Sequence, residues 1–523
     1  MSLKRVQILL AVLLVFSVVL AGCQSNNASS KNPKDSTEKV AKKNGNDLTV
    51  AIDSDGNTLD PHDYQANVED IMAKTMYETL FKFNKEGKLE PFLASGFEVS
   101  SDGLVYTISL KDGIKFHDGA PFDAEAVKAN LDRIANPDNH MAGYSMMSMI
   151  KETKVIDSHK LEVTIDKPFS GFLNNVATFG IASPKALENP KELAQHPVGT
   201  GQYILKEWVR NDHLTVEKNP EYWQSGQPKI DQITFKPVPE NGARIAMLKA
   251  GEADYIYPVP AEMAKSVDGQ NGIELVKEPS VYVEYLSMNN TKKPFDNVKV
   301  RQAINYAIDK KAFVEVVKGG YGIISESVIS PQMEFYSKQE QYQYNPEKAK
   351  ELLKEAGYKD GFETVLWSKN TSERIKAMEF IQQQLAQVGI KVKVQPMEPG
   401  VLTDKINTDP NIDLYFGGWS TGTGNPLMAI QPLLSGEQFP PTGWNTAYYK
   451  NDQVTQLIKD GHVTIDLKER ESQLKEIQSL IWKDAPWAFM DVQVSVGAKK
   501  SYVKGVEITS DSSLNFHNAE IAK

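Results

Sequence analysis

The chain is poor in the residues and motifs that mark metal sites and local catalytic centres. It contains one cysteine, Cys23, which excludes a disulfide within the chain and a zinc site built on several thiolates. Its eight histidines are scattered, and no two have the spacing of metal ligands on a helix. A phosphate-binding loop, with its lysine and its glycine spacing, is also missing. These absences argue against an enzyme, although a triad assembled from distant residues would leave no local motif.

Long runs of basic charge are missing as well. The chain has 58 lysines and arginines against 68 aspartates and glutamates, and the net charge of −10 is spread along it. A nucleic-acid partner calls for a basic face, so we expect none. About 500 residues remain beyond the N-terminal segment, which is too many for one core and predicts two or three domains.

The N-terminal segment has the pattern of a secretory signal. Lys4 and Arg5 precede an apolar stretch over residues 6–20, which is shorter than the ~20 residues needed to cross a bilayer. Its ending, Leu-Ala-Gly-Cys23, resembles the bacterial lipobox, in which the cysteine thiol receives a diacylglycerol group. The alternative for a lone thiol is a small buried side chain. We expect a lipoprotein signal peptide over 1–22 and a polar, lipid-anchored flexible linker over 23–47.

Hydrophobic periodicity predicts a mixed α/β fold. Strands are expected at 48–53, 105–110, 159–165, 364–367, 390–394 and 413–416. Helices are expected to open at Asp296, at the capping residue Asn345 and at Asn370. The region over about 80–195 mixes hairpins with short helices, whereas the later part alternates strand and helix. That alternation indicates a sheet covered by helices.

Aromatic residues beside glycine or serine recur in predicted loops at strand ends. The clearest segments are 255–258, 366–368, 417–419 and 443–445. Ligands of open α/β sheets bind where strands end, and aromatic walls with a few polar groups suit a small-molecule cleft. Burial in the core is the alternative for any single aromatic residue, and we assign Trp208, Trp223, Trp482 and Trp487 to the core.

Several further segments, in order along the chain, carry a family resemblance. They are 101–119 with 121–125, 197–201, 219–223, 251–254, 295–297 with 300–304, and 349–358 with 361–362. From Leu48 onward the chain therefore resembles extracellular solute-binding protein family 5, the binding proteins of peptide and nickel ABC importers. The resemblance implies a monomeric binding protein without catalytic activity or a cofactor. Its implied partners are a transmembrane permease, a cytoplasmic ATPase and, through the N-terminal lipid, the outer face of the cell membrane.

The resemblance also implies an α/β, two-lobed periplasmic-binding-protein-like fold (type II, cluster C) with an extra inserted domain. Crossing strands join the two lobes in this family. The boundaries expected here are 48–80, 198–285 and 493–523 for lobe I, 81–197 for the inserted domain, and 286–492 for lobe II.

Within the family the chain resembles the glutathione-binding subgroup most. The segments concerned are 366–368, 382–390, 418–420, 440–442 with 445–447, and 481–482 with 485–487. Dipeptide-binding relatives place an aspartate three residues after the tryptophan that matches Trp419, where it pairs with the α-amino group of the peptide. This chain has Gly422 there. Because a buried ammonium without a counter-charge is costly, an ordinary α-peptide is a less suitable ligand unless another acid substitutes.

The resemblance and the strand-end aromatics together predict the ligand contacts. In lobe II they are Trp419 as a stacking wall, Ser420, Thr421, Gly422 and Thr423 as a polar loop, Trp367 and Ser368 at the neighbouring strand end, and Asn445 and Tyr448 opposite. Elsewhere they are Tyr64 and Tyr257 from lobe I, and Tyr144 and Met147 from the inserted domain. Lys369 is a candidate partner for a ligand carboxylate, with a solvated loop lysine as the alternative.

The expected mechanism is closure of the two lobes on a solute, which is then handed to the permease. Glutathione is the favoured ligand, and a dipeptide or oligopeptide is the alternative. A nickel- or haem-binding protein is a further alternative within the family, although no histidine lies in the predicted contact segments. A membrane-tethered hydrolase is the alternative from a different class, and turnover would distinguish it from stoichiometric binding.

Overall fold

The protein is described by a computed structural model that covers residues 45–63 and 66–522. The predicted signal peptide, Cys23, nearly all of the linker and the candidate contact Tyr64 lie outside these residues. Among the described residues, no helix is both long enough and apolar enough to cross a bilayer.

The strands are distributed along the whole described chain. They are β1 (Asp47–Ile52), β2 (Phe81–Phe83), β3 (Leu89–Pro91), β4 (Ala94–Val99), β5 (Val105–Leu110), β6 (Ile150–Asp157), β7 (Lys160–Ile165), β8 (Tyr203–Val209), β9 (His213–Lys218), β10 (Gln232–Pro237), β11 (Tyr255–Ile256), β12 (Ile273–Met288), β13 (Gly322–Ile324), β14 (Phe362–Lys369), β15 (Ile390–Met397), β16 (Leu414–Trp419), β17 (Trp487–Lys500), β18 (Val503–Lys504), β19 (Glu507–Ile508), β20 (Leu514–Asn515) and β21 (Glu520–Ile521).

Most of the long helices lie in the second half of the chain. The helices are α1 (Asn67–Ala73), α2 (Ala124–Ala135), a 3-10 turn (Pro137–Asn139), α3 (Tyr144–Met147), α4 (Phe172–Val176), α5 (Pro184–Leu187), α6 (Pro190–Leu193), α7 (Asn241–Ala250), α8 (Ala261–Ala264), α9 (Val298–Ala307), α10 (Lys310–Val316), α11 (Pro346–Glu355), α12 (Ser372–Ala386), α13 (Pro399–Thr408), α14 (Pro426–Leu434), α15 (Asp452–Val463) and α16 (Leu467–Asp484).

One long sheet organises the molecule. Its order is β15-β14-β16-β12-β17-β11-β1-β10-β9-β8, and β13 pairs with β17 outside this path. The long strands β12 and β17 pair with each other along most of their length and belong to both halves of the sheet. The part to one side of them is lobe II, formed by β13 to β16, and the part to the other side is lobe I, formed by β1 and β8 to β11.

Helices and hairpins cover both faces of each half. In lobe II, Leu286 and Phe416 pack into a core with α9 to α12 on one face, while Tyr285 and Leu433 belong to a core with α14 to α16 on the other. In lobe I, one core contains α1 and the C-terminal hairpins, and the other contains α7 and α8. The result is a mixed α/β fold with helices on both sheet faces, as the alternating pattern predicted.

The region between Leu80 and Ile181 has a core of its own. Its four-stranded antiparallel sheet, β4-β5-β7-β6, packs against α2, α3 and α4. The alternating sequences of β5 and β7 place Tyr106, Ile108, Leu161 and Val163 on the same buried face. This is the segment predicted as an inserted domain; the residue limits given above for the three domains stay a prediction.

The predicted elements are present, and two helix starts needed correction. Asn345 caps α11, with its side chain accepting from Lys348 N–H as expected. The helix expected to open at Asp296 is instead capped by Asn297, and the one expected to open at Asn370 is capped by Thr371. In both cases the residue nearest the first turn has the side-chain oxygen in position, so the cap moves by one residue.

Candidate functional site

The strand directions create a cleft between the two lobes. β12 runs antiparallel to β16 and to β17, β17 runs antiparallel to β11, and β11 runs parallel to β1. The carboxyl ends of β1 and β11 therefore point towards lobe II, whereas that of β16 points towards lobe I. β14 and β10 are parallel to their neighbours β16 and β1 and share these directions. Strand ends of this kind are the usual ligand sites of open α/β sheets.

The crossing strands are irregular midway between the lobes. Pro279 pairs with Val494 and Val283 with Val492, so three residues of β12 face one residue of β17. The hydroxyl of Ser280 donates to Gln493 O at 3.0 Å, and Val281 N–H donates to Ser510 O at 2.8 Å. A bulge breaks the regular ladder, which makes this the natural place for the lobes to pivot.

Trp419 is the last residue of β16, opposite Val283 and next to this bulge. Its ring is half-buried against the α14–α16 core. The indole Nε1 is buried, and no acceptor for it lies in the part of the chain that the structure describes. A buried donor without a partner costs stability, so this N–H is well placed to donate to an oxygen of a bound molecule.

The loop after Trp419 alternates between exposed and buried residues. Ser420 and Gly422 are exposed, whereas Thr421 and Thr423 are buried, with their hydroxyl oxygens 2.9 Å apart. Asn425 ends the loop and caps α14 by accepting from Leu427 N–H at 2.9 Å. The predicted polar loop is therefore an ordered connection between β16 and α14, and Ser420 is the hydroxyl that it presents outward.

Two glycines before Trp419 leave room for a tyrosine on each face of β16. A Cβ at Gly417 would lie 2.6 Å from the hydroxyl of Tyr415, and one at Gly418 would lie 2.6 Å from that of Tyr282. Consecutive strand residues point to opposite faces, so the two phenols flank the end of the strand. Sequence reasoning missed both tyrosines. The paired glycines were the signal that could have found them.

A buried cluster of charges lies beneath Tyr282. Glu284 Oε2 is 2.7 Å from Lys318 Nζ, and Glu284 Oε1 is 2.9 Å from Arg374 Nη2. The same Arg374 nitrogen donates to the Tyr282 hydroxyl at 3.1 Å. Lys318 also pairs with Glu373. The helix α12, which supplies Arg374, thereby supports the cleft edge of lobe II.

One carboxyl group in this cluster is protonated more readily than usual. Asp491 pairs with Glu284 across β12 and β17 and is fully buried. Burial raises its pKa well above the ordinary value, and the negative charge of Glu284 raises it further. A proton on Asp491 relieves the repulsion between two carboxylates on neighbouring strands.

The lobe I side of the cleft holds Tyr257 just beyond the carboxyl end of β11. The side chain is buried in the lobe I core, and its hydroxyl donates to Ser512 O at 2.7 Å. Burial raises the pKa of Tyr257 to about 12, with Asp511 and Asp53 adding negative charge nearby. Tyr257 thus already has a partner within the protein. Tyr64, its predicted neighbour, lies outside the described residues.

Trp367 and Ser368 end β14 beside β16, but their side chains are turned inward. Trp367 packs with Leu402, Ile406 and Ile412 under α13, and the ammonium of Lys405 is 5.5 Å from its ring centre. The hydroxyl of Ser368 donates to Phe416 O at 2.7 Å. Lys369, the next residue, is exposed at the strand end.

Asn445 and Tyr448 lie at the other edge of lobe II. The Asn445 amide donates to Ser435 O at 2.9 Å and to Tyr449 O at 2.8 Å, beyond the C-terminus of α14. α14 begins beside the Trp419 loop and has nine residues, a length of about 13 Å. The structure therefore does not bring Asn445 and Tyr448 together with Trp419.

Tyr144 and Met147 belong to α3 of the inserted region. Met147 is fully buried in the core of that region, whereas Tyr144 is half-buried. Gly143 N–H donates to His62 O at 3.2 Å, which places Tyr144 near the segment that leads from β1 to α1. Of the two, Tyr144 has the side chain with an exposed part.

Comparison with known proteins gives consistent results. The sequence model of the bacterial extracellular solute-binding proteins, family 5 (middle), matches residues 88–441. The glutathione-binding protein GsiB of Salmonella paratyphi A is 42% identical over 483 residues, which are 91% of this chain and 94% of that protein.

Two solved structures share the fold. HbpA2 from Haemophilus parasuis superposes with a TM-score of 0.83 at 26% identity, over 91% of this chain and 100% of that one. The periplasmic binding protein DppA from Helicobacter pylori, solved in complex with the peptide STSA, gives a TM-score of 0.71 at 28% identity, over 92% and 98% of the two chains. The predicted two-lobed α/β fold is confirmed.

Proposed function

The chain belongs to the bacterial extracellular solute-binding proteins of family 5, and we propose that its solute is glutathione, which it delivers to an ABC importer. Family membership identifies it as an extracytoplasmic binding protein rather than an enzyme. The observation that carries the choice of solute is the 42% identity, over 91% of the chain, to a protein named for binding glutathione.

The Trp419 loop supports a ligand without an ordinary peptide amino terminus. Gly422 is exposed, and a Cβ built there would meet no atom within 4 Å, so this position offers open space and no counter-charge. The γ-linked glutamate of glutathione carries its ammonium and carboxylate side by side as a zwitterion. The buried indole N–H of Trp419 and the exposed hydroxyl of Ser420 are donors that suit a carboxylate.

The opposed strand ends support a closure mechanism. A solute that touches both the Trp419 edge and the lobe I edge makes more contacts when the lobes are closed, and it shifts the equilibrium by its difference in affinity for the two forms. Micromolar binding corresponds to about −8 kcal/mol, which exceeds a closure cost of a few kcal/mol. The bulge at 280–282 is where this pivot would lie.

The proposal also includes a lipid anchor and membrane-bound partners. We infer that Cys23 carries the lipid that holds the protein at the outer face of the cell membrane, and that the closed form docks on a permease served by a cytoplasmic ATPase. The Leu-Ala-Gly-Cys ending and the polar residues after it support this. Metabolic labelling with a radioactive fatty acid would test it: label is expected on the native protein and not on a Cys23→Ala variant.

A calorimetric titration tests the choice of solute. We expect micromolar, one-to-one binding of reduced glutathione and much weaker binding of an α-dipeptide such as Ala-Ala. A peptide is the second candidate, because the Helicobacter pylori relative was solved with a peptide bound. Clear heat with the dipeptide and none with glutathione or its disulfide would favour that candidate and contradict ours.

A further inference from the structure

The inserted region touches lobe II through a short segment, Phe169–Ser170–Gly171, which we call the strap. It lies between β7 and α4. Ser170 N–H donates to His462 O at 2.6 Å, and the Ser170 hydroxyl donates to Gly461 O at 2.8 Å. Arg470 Nη1 donates to Ser170 O at 3.0 Å. Three hydrogen bonds thus join one residue of the strap to the end of α15 and the start of α16.

The neighbouring side chains strengthen this contact. The ring of Phe169 stacks on the imidazole of His462, with centroids 5.6 Å apart and planes at 24°. On the inserted side, the Tyr106 hydroxyl donates to Phe169 O at 2.9 Å. The strap is therefore held to the core of its own domain at one side and to lobe II at the other.

The contact continues to the loop that follows Trp419. A Cβ at Gly171 would lie 2.0 Å from Nδ2 of Asn425, and one at Gly424 would lie 3.2 Å from the ring of Phe83. Asn425 and Gly424 end the loop over 420–425, and the lining of a cavity of about 10 Å³ includes both Asn425 and the strap residue Ser170. The backbone of the two domains meets here at glycines because side chains would keep them apart.

The inserted domain is tied to lobe I and cannot follow lobe II freely. The buried guanidinium of Arg133, in α2, donates to both carboxylate oxygens of Asp60 in lobe I at 2.9 and 2.6 Å. His117 N–H, also in the inserted domain, donates to Gly199 O of lobe I at 2.9 Å. Any swing of lobe II about the crossing strands must therefore make or break the strap contact.

We propose that the strap is a latch between the inserted domain and lobe II, and that it positions the loop over 420–425 and slows the release of a bound solute. The latch consists entirely of groups of this chain. It is mostly polar, as reversible contacts between domains are. Its effect on solute release rests on the proposed function, whereas its effect on the ligand-free shape does not.

Gly171→Ala is a steric wedge that tests the latch. Gly171 has φ −93° and ψ 7°, a conformation that alanine adopts without strain, so the added methyl group acts through its collisions with Asn425 Nδ2 and with the ring of Phe169, at 2.0 and 2.8 Å. Gly96→Ala is the matched control, because it lies in β4 of the same domain and its Cβ would meet nothing within 4 Å. Phe169→Ala, which removes the stack on His462, is the second variant and covers the case that the wedge impairs folding.

Two measurements give the result. Stopped-flow displacement of glutathione should show dissociation about tenfold faster in Gly171→Ala and Phe169→Ala, a factor that corresponds to about 1.4 kcal/mol, with association changed less. X-ray scattering of the ligand-free protein should show a larger radius of gyration for both variants than for wild type. Gly96→Ala should match wild type in both.

The possible outcomes distinguish a failure of the latch proposal from a failure of the proposed solute. Unchanged dissociation and unchanged scattering in both variants would overturn the latch. If wild type binds no glutathione, the proposed function fails, and ligand-free scattering still decides the latch: a larger radius in the two variants supports it and an unchanged one overturns it. Faster dissociation with unchanged scattering would contradict the claim that the strap holds the domains together.

Discussion

Lobe II contains two Gly-Trp pairs, Gly418-Trp419 at the end of the interior strand β16 and Gly443-Trp444 in a loop that follows α14. Trp419 is half-buried beside the crossing strands, and its indole N–H is buried without an acceptor in the described chain. Trp444 is 39% exposed, and its backbone N–H donates to Pro432 O at 3.0 Å. The same dipeptide therefore occupies a cleft edge in one case and an outer loop in the other. The dipeptide alone does not distinguish the two pairs. The first reaches the cleft because it ends β16, whereas the second lies in a loop after α14.

The strongest test of this comparison exchanges each tryptophan for alanine. Trp419→Ala should weaken glutathione binding about 100-fold, or about 3 kcal/mol, because a buried aromatic wall and a hydrogen-bond donor are lost together. Trp444→Ala should change the Kd less than twofold. Calorimetry measures both, and a larger loss with Trp444→Ala would show that the solute binds at the other edge, with Asn445 and Tyr448.

A second test concerns the glycines that make the Trp419 edge. Gly418→Ala should lower the free energy of unfolding by about 2 kcal/mol, because its Cβ would lie 2.4 Å from the ring of Tyr282. Gly422→Ala, with nothing within 4 Å of its Cβ, is the control and should be nearly neutral. Urea unfolding followed by tryptophan fluorescence gives both values. Equal stability of the two variants would mean that the ring of Tyr282 does not pack against Gly418.

A third test restores the acid that dipeptide-binding relatives carry. Gly422→Asp places a carboxylate in open space three residues after Trp419, where it can meet an α-ammonium. We expect Ala-Ala to bind about tenfold more tightly and glutathione less tightly, a change of about 1.4 kcal/mol. Gly422→Asn is the uncharged control. If Gly422→Asn raised the affinity for Ala-Ala as much as Gly422→Asp does, the gain would not come from the negative charge.

The smallest effect is expected for His62, which lies in lobe I in the segment that leads from β1 to α1. His62 Nδ1 accepts from Arg133 at 2.7 Å and Nε2–H donates to Gly180 O at 3.2 Å, so the neutral ring fits the site. Burial, opposed in part by Asp60 and assisted by Arg133, lowers the pKa of His62 to about 4.

Because the pKa in the unfolded chain is higher, about 6.5, the stability that neutral His62 contributes is complete above that value and is lost as the pH falls towards 4. Wild type should lose about 1 kcal/mol relative to His62→Gln between neutral pH and about pH 6. Parallel stability curves for the two proteins over this range would contradict the assignment.

Short-range patterns in the sequence were reliable guides to local structure. The alternating residues of β5 and β7 and the Asn345 cap of α11 are present as predicted. The helix starts near Asp296 and Asn370 were each displaced by one residue, because neighbouring Asn297 and Thr371 supply the capping oxygen. Trp482 and Trp487 are buried in the lobe II core, as assigned, whereas Trp208 and Trp223 are only half-buried against their cores.

The candidate site was less accessible to sequence reasoning. Trp419 and its loop lie at the cleft edge, but Trp367 and Tyr257 have inward side chains and Asn445 lies at the far edge. Tyr282 and Arg374 were missed, since each comes from an element distant in sequence from Trp419. Contacts of this kind arise from strand order, which no single segment encodes.

By itself, the sequence determined the elements, the family and the pattern expected of an exported protein, because periodicity, caps and an N-terminal signal act over a few residues. Only the tertiary structure decided which strand ends face each other, that Asn445 lies away from Trp419, and where the inserted domain meets lobe II. The physical reason is that these depend on the order and direction of strands brought together from all parts of the chain, and β12 and β17 set both by crossing between the lobes.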